Sequence, residues 1–150
     1  MAKERRITVR GIVFENGNLL AQQLHDKNKN QPRDYWCIPG GGLELGESLH
    51  AGLTREMIEE TGVTPTIGKL LYIQQYEDDE REFLEFFFNI ENPQDYHSID
   101  LAATSHGQIE IAVVDFVDPA NHVVLPDFLQ TADIASAIAS DQPVVIKSYL

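Results

Sequence analysis

The sequence predicts a single domain, residues 1–150, in which β-strands are combined with two α-helices. Three observations support this class. The chain has 150 residues, the ordinary size of one domain. Several segments are rich in β-branched and aromatic residues, which favours strands. Two stretches, far apart along the chain, instead predict helices. Both an α+β fold and an α/β/α sandwich fit this arrangement, and periodicity alone does not choose between them.

The first half of the chain predicts a hairpin, a loop and a short strand. Strand-like segments at residues 7–14 and 18–24 flank Glu15-Asn16-Gly17, and Asn-Gly is a strong signal for a tight hairpin turn. The polar residues 26–34 predict an exposed loop. Residues 35–38 predict a short buried strand.

A glycine-rich bend then precedes the first predicted helix. Residues 39–42, Pro-Gly-Gly-Gly, interrupt regular structure. The helix is predicted to follow Glu47-Ser48 and to continue to about Thr61, where Gly62 is well placed to end it.

The second half predicts three more strands and a second helix. The strands are expected at residues 63–76, 82–90 and 109–117, with a charged turn at 77–80 and a loop at 92–106. The second helix is expected within residues 126–140, and the tail from residue 144 has no clear pattern.

The acidic composition restricts the partners of the protein. The 24 acidic and 11 basic residues give a formal charge of −13. This disfavours a general nucleic-acid binder, because such proteins use Lys and Arg to displace counterions from phosphates. Cys37 is the only cysteine, so neither an internal disulfide nor a cysteine-based metal site is expected. No signal-peptide pattern or membrane-length apolar run is visible, which predicts a cytoplasmic protein without a membrane partner.

Three glutamates of the first predicted helix share one face. At about 100° per residue, Glu56 and Glu60 are one turn apart on the same side, and Glu59 lies beside them. The opposite side, which is expected to pack inward, carries Ala51, Thr54 and Ile58.

An acidic helix face has an ordinary explanation, since exposed like charges cost only about 0.2–0.5 kcal/mol per pair. Here the glycine-rich bend ahead of the helix favours another interpretation. Glycines allow close approach of the backbone, and a bend can turn carbonyl oxygens toward the carboxylates. Carboxylates with a carbonyl form the hard oxygen set that Mg²⁺ or Mn²⁺ prefers. We therefore interpret the cluster as a divalent-metal site with room for substrate phosphates.

Residues 41–63 resemble the signature of the Nudix hydrolase family, including its MutT-like members. That signature, the Nudix box, is Gly, five residues, Glu, seven residues, Arg-Glu, an aliphatic residue, one residue, Glu-Glu, one residue, Gly and an aliphatic residue. Its positions are occupied by Gly41, Glu47, Arg55, Glu56, Met57, Glu59, Glu60, Gly62 and Val63. The resemblance implies an α+β fold of the Nudix type, an α/β/α sandwich with a mixed central sheet.

The resemblance also implies roles for the charged residues of the box. Glu59 and Glu60 would be the main ligands of Mg²⁺, with Mn²⁺ as the alternative metal. Glu56 would bind a second metal or act as the base toward the attacking water. Arg55 would hold the glutamates in place by charge-assisted hydrogen bonds.

Three further oxygen donors are expected near the metal. The Gly41 carbonyl would complete a metal shell, and Glu47 would support a ligand or reach a metal through water. Nudix enzymes often recruit another carboxylate from a later segment, and Glu110 is the candidate here. The alternative for Glu110 is an ordinary polar position on the predicted strand at residues 109–117.

Several residues outside the box are candidates for substrate contacts. Arg33, Tyr35 and Tyr76 lie where the flanking segments would meet the pocket. The aromatic residues of the 82–90 strand could stack on a base, although core packing explains them better. They are Phe83, Phe86, Phe87 and Phe88.

The implied function is metal-dependent hydrolysis of the diphosphate linkage in a nucleoside diphosphate joined to another group. Candidate substrates are nucleoside triphosphates, nucleotide sugars, ADP-ribose and dinucleoside polyphosphates. Residues 77–79 are acidic where the ADP-ribose group of the family would place a proline, which favours a MutT-like or nucleotide-sugar enzyme. Dimers are frequent in the family, so a homodimer is expected. The alternatives are a Nudix module that senses nucleotides without cleaving them, and an interaction protein whose acidic helix is only surface.

Overall fold

A computed structural model describes residues 2–150, and at Gln108 it describes the backbone alone. The strands are β1 Glu4–Ile12, β2 Phe14–Glu15, β3 Asn18–Asp26, β4 Gln31–Pro32, β5 Trp36–Cys37, β6 Gly40–Gly42, β7 Ile67–Glu77, β8 Arg81–Ile90, β9 Ile111–Val117, β10 Val124–Leu125 and β11 Val145–Ser148. The helices are α1 Leu49–Thr61, α2 Gly107–Glu110 and α3 Ile134–Ala139, with short 3₁₀ turns at Pro93–Tyr96, Leu101–Ala103 and Asp127–Gln130.

The strands form two sheets, and the larger sheet is mixed. Its order is β11-β7-β8-β1-β6; β11 is parallel to β7 and β8 is parallel to β1, whereas the other two pairs are antiparallel. The second sheet has the order β10-β5-β3-β2, and β4 and β9 also pair with β3. The α+β class and the mixed sheet are therefore confirmed.

The hairpin turn between β2 and β3 has the geometry that its sequence predicts. Asn16 and Gly17 both have positive φ angles, 53° and 80°. A two-residue turn of this kind matches the twist of the flanking strands, which is why Asn-Gly is favoured there.

Helix α1 begins and ends where the sequence predicts. The Ser48 hydroxyl accepts a hydrogen bond from the Ala51 amide, and Gly62 ends the helix in the left-handed conformation with φ 75°. Each satisfies backbone groups that a helix terminus leaves without partners.

The predicted inward face of α1 is wrong. Ala51 and Ile58 are exposed, and Thr54 is only half-buried. The helix packs instead through Leu53 and Met57, which are fully buried. These two residues are one turn apart and form the stripe that contacts the sheet. The glutamates therefore lie beside the packed face and not opposite to it.

Buried residues form two clusters on the two faces of the larger sheet, because neighbouring residues of a strand point to opposite faces. One cluster packs α1 against the sheet and includes Val9, Leu53, Met57, Phe88 and Ile90. The other lies between the sheet and α3 and includes Ile12, Tyr72, Phe87, Leu129 and Ile134. Phe87 and Phe88 are thus core residues, as the sequence favours.

Two predictions for the second half need correction. The strand predicted at residues 109–117 begins only at Ile111, because α2 occupies residues 107–110. The helix predicted within 126–140 is divided into a 3₁₀ turn and α3. The division occurs because Asp133 starts a new helix: its side chain accepts a hydrogen bond from the Ser136 amide in the first turn of α3. The tail forms β11. No helix among the described residues is long and apolar enough to cross a membrane.

Candidate active site

A cavity of about 900 Å³ opens between the two sheets, with the glutamate side of α1 at one end. Its wall includes three glutamates of the box, Glu56, Glu59 and Glu60, and the backbone of β6. The remaining wall comes mainly from strands of both sheets, with contributions from the segment after β10 and from His106 and Glu110 at the two ends of α2. The three carboxylates that could bind a metal ion therefore lie in the wall of a cavity large enough for a small-molecule ligand.

The glycine-rich bend approaches both the sheet and the helix too closely for any side chain. Gly40 has φ 138°, and a Cβ there would lie 2.1 Å from the Val9 carbonyl oxygen. A Cβ at Gly41 would lie 2.7 Å from the Glu56 carboxyl group. Only glycine allows β6 to pair with β1 while resting directly on the carboxylates of α1.

Arg55 joins the bend and three glutamates. Its guanidinium donates to both carboxylate oxygens of Glu47, at 2.8 and 2.9 Å, and to the Gly42 carbonyl at 3.1 Å. The third nitrogen donates to Glu56 at 3.0 Å and to Glu59 at 3.2 Å. The hydrogen bonds from Arg55 lower the pKa of Glu47 to about 2. The planar fork thus fixes several carboxylates relative to each other, as predicted for Arg55.

Glu60 is the most deeply buried of the three box glutamates that line the cavity. Its side chain accepts the Gly40 N–H at 2.9 Å, and only 8% of the residue is exposed. Burial raises the pKa of Glu60 to about 8, although the Gly40 N–H and the charge of Arg10 act in the opposite direction. Additional positive charge close to Glu60 would therefore stabilise its ionised carboxylate.

Glu56 and Glu59 differ from Glu60 in their surroundings. Burial raises the pKa of Glu56, and the hydrogen bond from Arg55 opposes that rise. Glu59 is more exposed and also lies 3.2 Å from the His106 imidazole. The backbone N–H of His106 donates to the Glu59 carbonyl, which ties α2 to the end of α1.

The donor chemistry of this group suits a divalent cation. Three carboxylates and the bend carbonyls supply hard oxygens, and burial of Glu60 leaves negative charge to be balanced. Within the described residues, the buried Oε1 of Gln22, which faces the same cavity, has no hydrogen-bond partner and could accept from metal-bound water. In that same part of the chain no three side chains are already arranged as a metal shell. Glu56 and Glu59 are both hydrogen-bonded to Arg55.

The remaining predicted site residues have different positions. Glu110 lines the cavity, but it is the last residue of α2 and not part of a strand. Tyr35 and Tyr76 also line the cavity. Arg33 does not contribute to its wall and instead donates a 2.5 Å hydrogen bond to the Tyr35 hydroxyl.

A buried polar network behind the bend is absent from the sequence predictions. Glu85 accepts hydrogen bonds from Thr8 at 2.7 Å, Gln74 at 2.9 Å and Arg10 at 3.3 Å. Arg10 also donates to the Gly40 carbonyl at 3.2 Å. The sequence signal for this network was the presence of Arg10 and Glu85 inside largely apolar strand segments. A buried charge requires a partner, so the two residues could have been predicted to pair.

Comparison with known proteins identifies the family. The NUDIX domain family model matches residues 4–129, which includes the box and the strands around it. The chain therefore belongs to the Nudix family.

Two curated relatives are similar over less than half of the chain. A "MutT-like protein" of Streptomyces ambofaciens is 38% identical over 65 residues, 43% of this chain and 38% of that protein. An "ADP-ribose pyrophosphatase" of Methanocaldococcus jannaschii is 35% identical over 66 residues, 43% of this chain and 37% of that protein. The chain thus spans less than two-fifths of the length of each of these two relatives.

The fold is shared with solved structures over almost the whole chain. The match to the solution structure of the E. coli ORF135 protein covers 94% of this chain and 96% of that protein, with a TM-score of 0.69 and 21% sequence identity. This likeness supports the predicted Nudix-type architecture.

Proposed function

We propose that the chain is a Nudix pyrophosphohydrolase that cleaves the diphosphate linkage of a nucleoside diphosphate joined to another group, with Mg²⁺ or Mn²⁺ as cofactor. The observation that carries this proposal is the meeting of Glu56, Glu59, Glu60 and the β6 bend at one end of a large cavity. An acidic helix face that is only solvated would not require glycines packed against its carboxylates.

The proposed metal ligands are Glu56, Glu59 and Glu60, with the Gly41 carbonyl, Glu47 and Glu110 as further oxygen donors. A bound cation would neutralise phosphate charge and lower the pKa of its water. Arg55 would keep the carboxylates on one rigid helix in a fixed arrangement, which favours in-line positioning of the reacting groups. Glu47, locked by Arg55, would support this arrangement from the start of α1.

Glu56 is proposed either as a metal ligand or as the base toward water. It lies directly over the Gly41 backbone and accepts a hydrogen bond from Arg55. Burial raises the pKa of Glu56, and a raised pKa favours uptake of a proton from water by its carboxylate. Tyr35 and Tyr76 are proposed to contact the substrate, and Arg33 to position the Tyr35 ring.

The domain and the assembly are part of the same proposal. We propose that residues 1–150 form one Nudix domain; the family match to residues 4–129 and the pairing of β11 with β7 in the larger sheet support this proposal. A homodimer and a cytoplasmic location are proposed from the sequence. Sedimentation of the purified protein would measure the assembly, and fractionation of cells would measure the location.

The test is product analysis with a panel of nucleoside triphosphates, ADP-ribose, dinucleoside polyphosphates and nucleotide sugars. Each is incubated with the protein and Mg²⁺ or Mn²⁺, and products are separated by chromatography. We expect cleavage of one class at the diphosphate, lost in the Glu59→Gln variant and on chelation. Metal-dependent nucleotide binding without any cleavage would instead support a sensor.

A further inference from the structure

We infer that an aromatic row across the larger sheet, formed by Tyr149, Tyr76 and Phe83 and ending in Arg6, binds the nucleobase of the substrate. This inference rests on the proposed function. It names the part of the substrate that the cavity recognises, an aromatic base, and it includes two residues, Tyr149 and Arg6, that sequence analysis did not identify.

The row follows from the register of four neighbouring strands. Tyr76 of β7 pairs with Phe83 of β8, and Phe83 pairs with Arg6 of β1. β11 runs parallel to β7 up to the pair Ser148 and Gln75, and the Tyr149 amide then donates to the Gln75 carbonyl at 2.9 Å. Tyr149 therefore lies beside Tyr76 in the neighbouring chain segment. Tyr149, Tyr76 and Arg6 all line the cavity.

The rings present a surface suited to stacking. Tyr76 and Phe83 are parallel, with ring centroids 4.6 Å apart and an angle of 7° between their planes. Phe83 thus fixes the orientation of the Tyr76 ring that faces the cavity. Tyr149 is 60% exposed, which leaves its ring available to a ligand. Stacking of a base on such rings is worth about 1–3 kcal/mol per base and tolerates different bases.

The distance from the row to the carboxylates proposed to bind metal is similar to the length of a nucleotide. Arg6 precedes Arg10 by four residues on β1, and Arg10 pairs with Gly40 of the bend. At 3.3–3.4 Å per residue, the Arg6 end of the row is roughly 13 Å along the sheet from the position that pairs with Gly40. A base in the row would therefore need a linker such as ribose and diphosphate to place its cleavable bond at the glutamates. Arg6 is the end of the row nearest to the bend, and its guanidinium lies against Gly42.

The charges of the cavity disfavour a ligand with many phosphates. In the described lining the cationic side chains are Arg6 and Arg10, and Arg10 is already engaged with Glu85. Six carboxylates line the same cavity: Glu56, Glu59, Glu60, Glu85, Glu110 and Asp127. A cluster of phosphates would lack cations beyond those at the metal end. An uncharged aromatic base meets no such difficulty.

The test is equilibrium binding by calorimetry, with Mg²⁺ present and two probes that the protein cannot turn over. Adenosine 5′-(α,β-methylene)diphosphate contains a base, and methylenediphosphonate is the matched diphosphate without nucleoside; the uridine analogue covers pyrimidines. The variants are Tyr149→Ala and Tyr149→Phe. The control is Ile146→Ala, because Ile146 lies on β11 three residues before Tyr149, is 65% exposed and does not line the cavity.

We expect wild type to bind at least one nucleoside probe more tightly than methylenediphosphonate. Tyr149→Ala should weaken nucleoside binding five- to tenfold and leave methylenediphosphonate binding unchanged. Tyr149→Phe and Ile146→Ala should behave like wild type. Tyr76→Ala is the second variant, and its expected loss is also about tenfold.

Nucleoside binding that both alanine variants retain within twofold would overturn the inference. The inference would also be overturned if wild type bound the nucleoside probes no more tightly than methylenediphosphonate. This would hold even if wild type cleaved organic diphosphates that have no base, which would satisfy the catalytic part of the proposed function. Base-dependent binding that requires Tyr149, without cleavage of any diphosphate, would support the inference and refute the proposed hydrolase.

Discussion

Replacing Glu60 by glutamine should stabilise the metal-free protein at alkaline pH while removing its response to metal. Glu60 is 8% exposed, and its anion is favoured by the Gly40 N–H, the nearby charge of Arg10 and the Gln22 side chain. Glutamine has the same shape and can accept the same N–H. Its amide can also donate to the Gln22 oxygen that has no partner among the described residues. The substitution therefore removes a buried charge without leaving a cavity.

The size of the effect depends on pH in a defined direction. Burial raises the pKa of Glu60 from 4.5 to about 8. Below pH 4.5 the carboxyl is protonated in both the folded and the unfolded chain, so its ionisation costs nothing. As pH rises from 4.5 through 8, the unfolded chain releases this proton first and stability is lost. At 1.36 kcal/mol per pKa unit the loss approaches about 5 kcal/mol, and relaxation around the charge reduces our expectation to ~2–3 kcal/mol.

The assay is urea unfolding at pH 5.0 and 8.5 in the presence of a chelator, followed by the fluorescence of Trp36, the single tryptophan. We expect Glu60→Gln to be more stable than wild type by ~2–3 kcal/mol at pH 8.5 and nearly equal at pH 5.0. Excess Mg²⁺ should stabilise wild type and leave the variant unchanged. A metal-free variant less stable than wild type at pH 8.5 would refute the reasoning, because Glu60 would then be stabilised as an anion.

Three further substitutions test the site and the packing. Arg55→Lys loses the fork to Glu47 and Glu56, so turnover should fall about 100-fold and the free energy of unfolding by ~1–3 kcal/mol, measured by steady-state kinetics and denaturation. Gly40→Ala should destabilise by at least ~1–3 kcal/mol in thermal unfolding, since φ 138° is unfavourable for alanine and its Cβ meets the Val9 carbonyl. Met57→Ala should cost ~2–5 kcal/mol in urea, whereas the exposed control Ile58→Ala should cost less than ~1 kcal/mol; equal losses would contradict the observed packing of α1.

Local signals in the sequence predicted the elements that depend on a few neighbouring residues. Ser48 and Gly62 delimit α1 because their effects act on adjacent backbone groups. Asn16-Gly17 fixes its turn for the same reason. The spacing of Glu56, Glu59 and Glu60 likewise places them on one side of a helix, whatever the helix packs against.

The orientation of α1 could not be obtained by assuming that apolar and acidic faces are opposite. The buried stripe of Leu53 and Met57 lies next to Glu60, which is itself buried. A functional carboxylate in a cavity violates the usual division between core and surface, so the acidic face does not mark the solvent side.

Contacts between distant segments were also beyond the sequence patterns. Tyr149 reaches the cavity only because β11 pairs with β7, and the tail has no periodicity that would predict this strand. Arg10 and Glu85 meet because β1 and β8 are neighbours, although 75 residues separate them along the chain. Glu110 shows the opposite error, since its cavity position comes from α2, where alternation had predicted a strand.

The most direct test of the proposed hydrolase is the rate of diphosphate cleavage as a function of Mg²⁺ concentration. The substrate is the best one from the panel, and the proteins are wild type, Glu59→Gln and Glu80→Gln, an exposed glutamate of the β7–β8 turn. We predict no cleavage without metal, saturable activation of wild type and of the Glu80 control, and at least a 100-fold lower maximal rate for Glu59→Gln. Cleavage that is independent of metal, or full activity of Glu59→Gln, would contradict the assignment of these carboxylates as the catalytic metal site.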